Sequence, residues 1–294
     1  MLLIGENINV MSKRIGEAIR QKDPEPIRRL AIAETEAGMD MLDINLGPAR
    51  KNGSEIMEWI VKTVQEVTEL PLSLDTTNID AMEAGLRAHR GKALINSISA
   101  RPERIEALMP LAKRFNAGFI GLTLGVDGIP RDANERGLLA AQIIAEAANY
   151  GIPEEDIWLD PIVLPVNSQQ IQIQGCTEFA MMLAELAPNS KSTCGISNVS
   201  NGVPTHLRGI LNRTYLIILK RYGMYSAIAD AFDEELRAIA RDKAPELESL
   251  IHRVIDGKEK EIDMGSLSNE EKDYVKTAKV LLGYNLYSDS WLDI

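Results

Sequence analysis

The stretch Thr193-Cys194-Gly195-Ile196-Ser197-Asn198-Val199-Ser200-Asn201-Gly202 opens on small, apolar residues and ends polar, with Asn198 at the transition. It reads as a strand, the seventh of the chain, and its plan recurs elsewhere. Short apolar runs close on a carboxylate or carboxamide in LLIGENIN at 2–9, MLDINLG at 41–47, PLSLD at 71–75 and ALINSI at 93–98. FIGLTL at 119–124, IWLDPIV at 157–163 and SAIAD at 226–230 complete a set of eight expected strands. Laid side by side, such segments bring their polar ends together, and Asn198 falls at the centre of that group.

Helices separate the strands. Asp23 before Pro24 is a good cap with proline at the first helical position, and Ile27, Leu30, Ala31 and Ala37 keep helical spacing up to a stop at Gly38. Ser54 is the expected cap of a helix whose apolar face is Ile56, Trp59, Ile60, Val64 and Val67. Asn78 and Asp132 are expected caps further on. Pro110 predicts a kink or a split in the helical segment 105–115. A polar Asn- and Gln-rich connection precedes a helix at about 179–187, and another spans 207–222. Eight strands alternating with helices, and no GxGxxG after the first strand, favour a (β/α)₈ TIM barrel over a doubly wound open sheet. The barrel is expected over residues 1–244, with 245–294 as a C-terminal extension packed on the barrel or on a dimer partner; a unit of that size alone would be marginal.

Composition narrows the function. The 294 residues carry a net charge of −11, which leaves no basic excess for nucleic acid. Two cysteines, Cys176 and Cys194, form no CxxC and suit a reducing, cytoplasmic setting. No signal peptide and no run of membrane-spanning length is seen, and three histidines without HExxH argue against a zinc hydrolase, so no metal site is expected.

The active face of such a barrel lies at the C-terminal ends of its strands. There the sequence places Glu6, Asn7, Asn9, Asp43, Asn45, Asp75, Asn96, Thr123, Asp160, Asn198 and Asp230. This set of acids and amides, almost without cations, suits a substrate rich in N–H donors, such as the aminopyrimidinone ring of a pterin, because two adjacent donors match a carboxylate bidentately. A sugar competes for the same groups, but the aromatic platforms of glycoside hydrolysis are missing at the strand ends. Any one Asp or Asn here is equally well the cap of the next helix, and Asp75 before Thr76-Thr77-Asn78 is equally well a turn. Asp160 is harder to dismiss, because a carboxylate inside IWLDPIV needs a partner. Met39, Met41, Met181 and Met182 read as core filler, and Cys194 as a small strand residue.

The motifs GENIN at 5–9, LDINLGP at 42–48, SLDTTN at 73–78, INSIS at 95–99, GLTL at 121–124, LDPIVLP at 159–165, GISNVS at 195–200 and NRT at 212–214 occur in order. Together they resemble the methyltetrahydrofolate:corrinoid protein methyltransferases, relatives of the folate domain of cobalamin-dependent methionine synthase. The likeness runs to about Phe232. The resemblance implies that Asp75, Asn96 and Asp160 hold the pterin ring and that Asn198 meets N5, the nitrogen that carries the methyl group. It implies further folate contacts at Glu6, Gly195, Ser197, Asn201 and Arg208, although Asn201 stands where acetogenic members carry glutamine. It also implies tetrahydrofolate or 5-methyltetrahydrofolate as substrate, a corrinoid (cobalamin) carried by a partner protein, and a homodimer. Dihydropteroate synthases share the barrel and its pterin pocket, but their TPDSFSDGG-like loop and final Arg-x-His are replaced here by NVMSKR and SAIADAFD. A folate-binding subunit without turnover is the alternative of another class.

Overall fold

A computed structural model describes residues 1–49 and 51–293, so that Ile294, the end of the expected extension, lies outside the described residues. In chain order the elements are β1 (Leu2–Asn9), α1 (Lys13–Gln21), α2 (Pro24–Glu36), β2 (Met41–Gly47), α3 (Gly53–Gln65), β3 (Leu72–Thr76) and α4 (Ile79–Ala88). They continue as β4 (Leu94–Ser99), α5 (Pro102–Arg114), β5 (Gly118–Leu122), α6 (Ala133–Asn149), β6 (Ile157–Asp160), α7 (Val166–Leu186) and β7 (Lys191–Ser192). The chain then runs through α8 (Thr205–Arg221), β8 (Ser226–Ala229), α9 (Glu234–Ala240), α10 (Pro245–Ile255) and α11 (Asn269–Leu281). The strands pair in parallel in the order β7-β6-β5-β4-β3-β2-β1-β8. The barrel closes between β7 and β8 through Ile228 N–H on Cys194 O at 2.8 Å and Ser226 Oγ on Ser192 O at 3.0 Å. This is the expected (β/α)₈ TIM barrel.

Two apolar layers explain the strand sequences. Residues such as Leu42, Ile44, Leu72 and Leu74 are wholly buried between sheet and helices. Ile4, Met41, Leu94, Ile120, Trp158 and Ile228 form a separate cluster, one from each of six strands, that fills the barrel interior. Side chains two residues apart on a strand share a face. Two residues beyond these plug residues stand Glu6, Asp43, Asn96, Asp160 and Asp230. An apolar plug below and acids or amides above are thus two consecutive layers of one interior.

Several sequence expectations are corrected. The stretch 193–202 is not a strand: β7 contributes only Lys191 and Ser192 to the ladder with β6, and the chain then meets Ile228 of β8 at a single bridge from Gly195. Ile196–Ser200 turns as a 3-10 helix, with Asn198 N–H on Gly195 O at 3.2 Å and Asn201 N–H on Asn198 O at 3.1 Å. Small polar residues that favour tight i→i+3 turns outweigh the few apolar ones. The Asn- and Gln-rich connection is also not a loop, since it forms the first half of α7, whose backbone departs from helical geometry at Gln169. Asn52 in a left-handed conformation, not Ser54, precedes α3. α5 runs through Pro110 as one helix. α1 is absent from the sequence reading, and the charged stretch after Pro245 contains α10.

The caps expected at Asp23, Asn78 and Asp132 are made, with each side chain accepting a first-turn N–H. The C-terminal helices α10 and α11 pack on α8, and α11 also on α7. Trp291 beyond them is 4% exposed and donates Nε1–H to Thr277 Oγ1 at 2.9 Å. No described helix is long and apolar enough to cross a membrane.

Candidate functional site

The polar layer above the plug is a ring of side chains tied in separate hydrogen-bonded groups. Asn45, Asp75 and Asn96 stand level across β2, β3 and β4. Asn45 donates its amide to Asp75, and orients itself by accepting Gly47 N–H at 3.0 Å. One step deeper, Asp43 accepts from Ser73 Oγ at 2.6 Å and Asn96 Nδ2 at 3.0 Å. On the other side Glu6 accepts from Ser197 Oγ at 2.9 Å, and Asn7 donates to Asp230 at 2.8 Å. These bonds show that Asp75 is no helix cap: Asn78 caps α4, while Asp75 faces its neighbours in the mouth.

Asp160 ends β6, and its Oδ1 accepts Ile162 N–H at 2.7 Å across Pro161. No described residue hydrogen-bonds its other carboxylate oxygen. The turn holds Ile162 at φ 62°, a left-handed conformation that a β-branched side chain disfavours. Arg136 of α6 braces this turn from behind. It is wholly buried, and its guanidinium donates to Pro161 O at 2.8 Å, Asp132 O at 3.1 Å and Gln172 Oε1 at 2.7 Å. It therefore ties the loop after β6 to α6 and α7 without pairing directly with any carboxylate among the described residues.

Burial dominates the electrostatics. It pushes Glu6 up to about 7 against the opposing bond from Ser197, with the charges of Asp230 and Asp43 adding to the rise. Asp160 is raised to about 7 by burial, which the Ile162 N–H and Arg136 only partly oppose. Asp43 and Asp75 are both pushed up by burial, and Asp75 further by the charge of Asp43 beside it; Asn45 and Arg104 pull the other way. Burial above an apolar plug thus shifts Glu6, Asp43, Asp75 and Asp160 toward their protonated forms.

The remaining sequence candidates divide. Ser197 is bonded into the ring through Glu6, and Arg208 reaches it indirectly, with Nε on Ser200 Oγ at 3.1 Å and Ser200 Oγ on Ser197 O at 3.2 Å. A Cβ at Gly195 would come within 2.9 Å of Asn198 Nδ2, so this glycine makes room for the Asn198 side chain itself. Asn198 is exposed, and its side chain enters no hydrogen bond among the described residues. Asn201 is also exposed and joins none of the ring. A cavity of about 590 Å³ lined by Val126, Ile129, Leu138 and Gln142 lies to one side and contains none of these residues.

Sequence reasoning missed two groups. Arg136 gives no signal, being one charge in the long helix α6. Glu34 does leave one: with Ile27 and Ala31 it falls on the buried face of α2, where an apolar residue is expected.

A parallel eight-stranded barrel with this acid and amide mouth belongs to the pterin binding enzyme family, whose profile matches residues 5–228. Within that family the chain is 27% identical over 238 residues to the methylcorrinoid:tetrahydrofolate methyltransferase of Eubacterium limosum, covering 80% of this chain and 87% of the relative. It is also 27% identical over 261 residues to the methionine synthase of Mycobacterium tuberculosis, covering 82% of this chain but only 22% of that much longer protein. Among solved structures, the dihydropteroate synthase of Xanthomonas albilineans in complex with 7,8-dihydropteroate superposes with a TM-score of 0.65 at 17% identity, over 83% of this chain and 93% of that one. The Yersinia pestis enzyme gives 0.64 at 16% identity, over 83% and 92%. These synthases share the fold.

Proposed function

We propose that this chain moves a methyl group between N5 of tetrahydrofolate and the cobalt of a corrinoid carried by a separate protein. The observation that carries the reading is the near end-to-end match with the Eubacterium limosum methyltransferase, which spans 87% of that relative. The name of that relative favours transfer toward tetrahydrofolate as the working direction. The site agrees in chemistry: Asp75, Asn96 and Asp160 form the acceptor-rich edge on which the N–H donors of a pterin ring would rest, and burial makes such charge-assisted bonds stronger than in water.

Each side chain then has a task. Asp43 fixes Asn96 from below, and Asn45 fixes Asp75 from the neighbouring strand at the same level. Ser197 ties Glu6 to the loop that carries Asn198, and Arg208 braces that loop through Ser200. Asn198 is assigned to N5. When N5 takes up the methyl carbon it becomes positively charged until its proton leaves, and the neutral amide oxygen accepts from N5–H⁺ without placing a fixed positive charge beside it. Stabilisation of this kind at a developing charge is worth roughly 10²–10³ in rate. The corrinoid supplies a cobalt–carbon bond whose electron pair remains with the metal when the methyl group departs. Asn198 is exposed while the acids below it are largely covered, which leaves the N5 side of a seated ring open to a large partner.

The test mixes the protein with tetrahydrofolate and methylcob(III)alamin and follows the cobalt absorbance, then runs 5-methyltetrahydrofolate with cob(I)alamin. Transfer in neither direction would overturn the reading and leave a folate-binding subunit without turnover.

A further inference from the structure

Glu34 has no part in the scheme above, yet its setting is unusual. It is wholly unexposed, and its Oε2 has no hydrogen-bond partner among the described residues. Its Oε1 accepts the backbone N–H of Asn7 at 3.1 Å. That N–H is available because β1 bulges: Gly5 pairs with Leu42 and Ile8 with Ile44, so that Glu6 and Asn7 together face the single residue Asp43. A bulge leaves one residue out of the ladder and re-aims the side chains on either side. Here those side chains are Glu6, bonded to Ser197, and Asn7, bonded to Asp230 and to Ala231 N–H. Gly5 completes the arrangement, since any Cβ there would collide with Glu34 Oε1.

We propose that Glu34 is a positioning residue for the folate site: its Oε1 takes the Asn7 amide released by the bulge and fixes the backbone that aims Glu6 and Asn7 into the barrel mouth. This rests on the folate reading given above. A leucine of similar size would leave the Asn7 N–H buried and unpaired, and the bulge would relax toward the regular ladder. Burial raises Glu34 to about 8 against the opposing bond from the Asn7 N–H, and the charges of Asp43, Asp230 and Glu6 add to that rise. At neutral pH it is therefore an uncharged acid, and a neutral amide of the same shape replaces it.

The experiment compares Glu34→Gln, Glu34→Leu and Gly5→Ala. Circular dichroism and thermal unfolding check folding. Asn7 amide exchange, tetrahydrofolate affinity and the split between KM and kcat are then measured. The expected result is Asn7 exchange at least about tenfold faster in Glu34→Leu and Gly5→Ala. Folate affinity should fall by a similar factor, with the loss in KM rather than kcat. Glu34→Gln should restore both readouts to within about threefold of wild type. Wild-type exchange and affinity in Glu34→Leu would overturn the proposal, as would a Glu34→Gln protein no better than the leucine variant. If Glu34→Leu fails to fold, Gly5→Ala against Glu34→Gln decides the same question. If wild type itself binds no tetrahydrofolate, the functional reading fails separately, and Asn7 exchange still decides the role of Glu34 in the bulge.

Discussion

Folate binding should depend on pH through Asp160, and the size of the effect follows from the site. The turn with Ile162 uses only one of the two carboxylate oxygens. Burial holds the group at about 7 in the empty protein. A ring that presents N–H donors to Asp160 requires the ionised form, so the binding-competent fraction is about one tenth at pH 6 and about nine tenths at pH 8. Apparent affinity should therefore weaken about tenfold from pH 8 to pH 6, and binding at pH 7 should release about half a proton from this group. Glu6 titrates in the same range, as do Asp43 and Asp75, raised to about 6 and about 8, and the ligand has its own ionisations, so the informative quantity is a difference between proteins.

Asp160→Asn provides that difference. The amide keeps the shape and an acceptor oxygen but loses the charge-assisted bond, which costs roughly 1.5–3 kcal/mol, or about 10- to 100-fold in affinity at pH 8. At pH 6, where the wild-type carboxyl is mostly neutral, the two proteins should differ by about tenfold less than at pH 8. Isothermal titration calorimetry in buffers of different ionisation enthalpy measures both affinity and proton release. A wild-type to variant ratio that stays constant from pH 6 to pH 8 would refute the assignment of Asp160 to the donor edge of the ring.

Other outcomes are expected at separate positions. Asn198→Ala should lose roughly 10²–10³ in kcat while its folate dissociation constant stays within about threefold, as read by stopped-flow absorbance and equilibrium titration. Ile162→Asn should gain about 1 kcal/mol in urea unfolding, because asparagine tolerates the left-handed backbone at φ 62° that isoleucine resists. Trp291→Ala should lose about 3–5 kcal/mol in the same assay, since the indole is 4% exposed and bonded to Thr277. Glu34→Gln should gain stability over wild type as pH rises from 5 to 8.5 in thermal unfolding. The folded-state value of Glu34 is raised from 4.5 to about 8, so the folded protein binds more protons than the unfolded one in that window and loses stability as pH climbs.

The strands were legible because their chemistry is written with a period of two. In MLDINLG, Leu42 and Ile44 face the helices, while Met41, Asp43 and Asn45 face inward, and the shift from apolar to polar along that inner row marks the C-terminal end. Helix α1 was not legible, because nine residues directly after the turn at the end of β1 give too short a pattern to separate from a loop. Glu34 and Arg136 escaped for a different reason. Each acts on backbone brought to it by the fold, the Asn7 amide across 27 residues and the Pro161 carbonyl across 25, and no local spacing encodes such a partner.

The misread stretch at 193–202 bears most directly on how the mouth works. A regular strand would have carried Asn198 onward in the wall of the barrel, among the acids of the ring. Instead the ladder with β6 ends at Ser192, Gly195 touches β8, and successive tight turns lay residues 196–200 over the mouth. That geometry separates two requirements that one strand end could not meet together. Glu6, Asp43, Asp75 and Asp160 are held low, on strands, where burial would strengthen a bond to a ligand. Asn198 is held higher and in solvent on a short loop anchored at both ends, by Ser197 on Glu6 and by Arg208 on Ser200. A loop tied at two points keeps its amide in place without covering it, as a side chain must if it is to meet one edge of a bound ring while the approach from outside stays open.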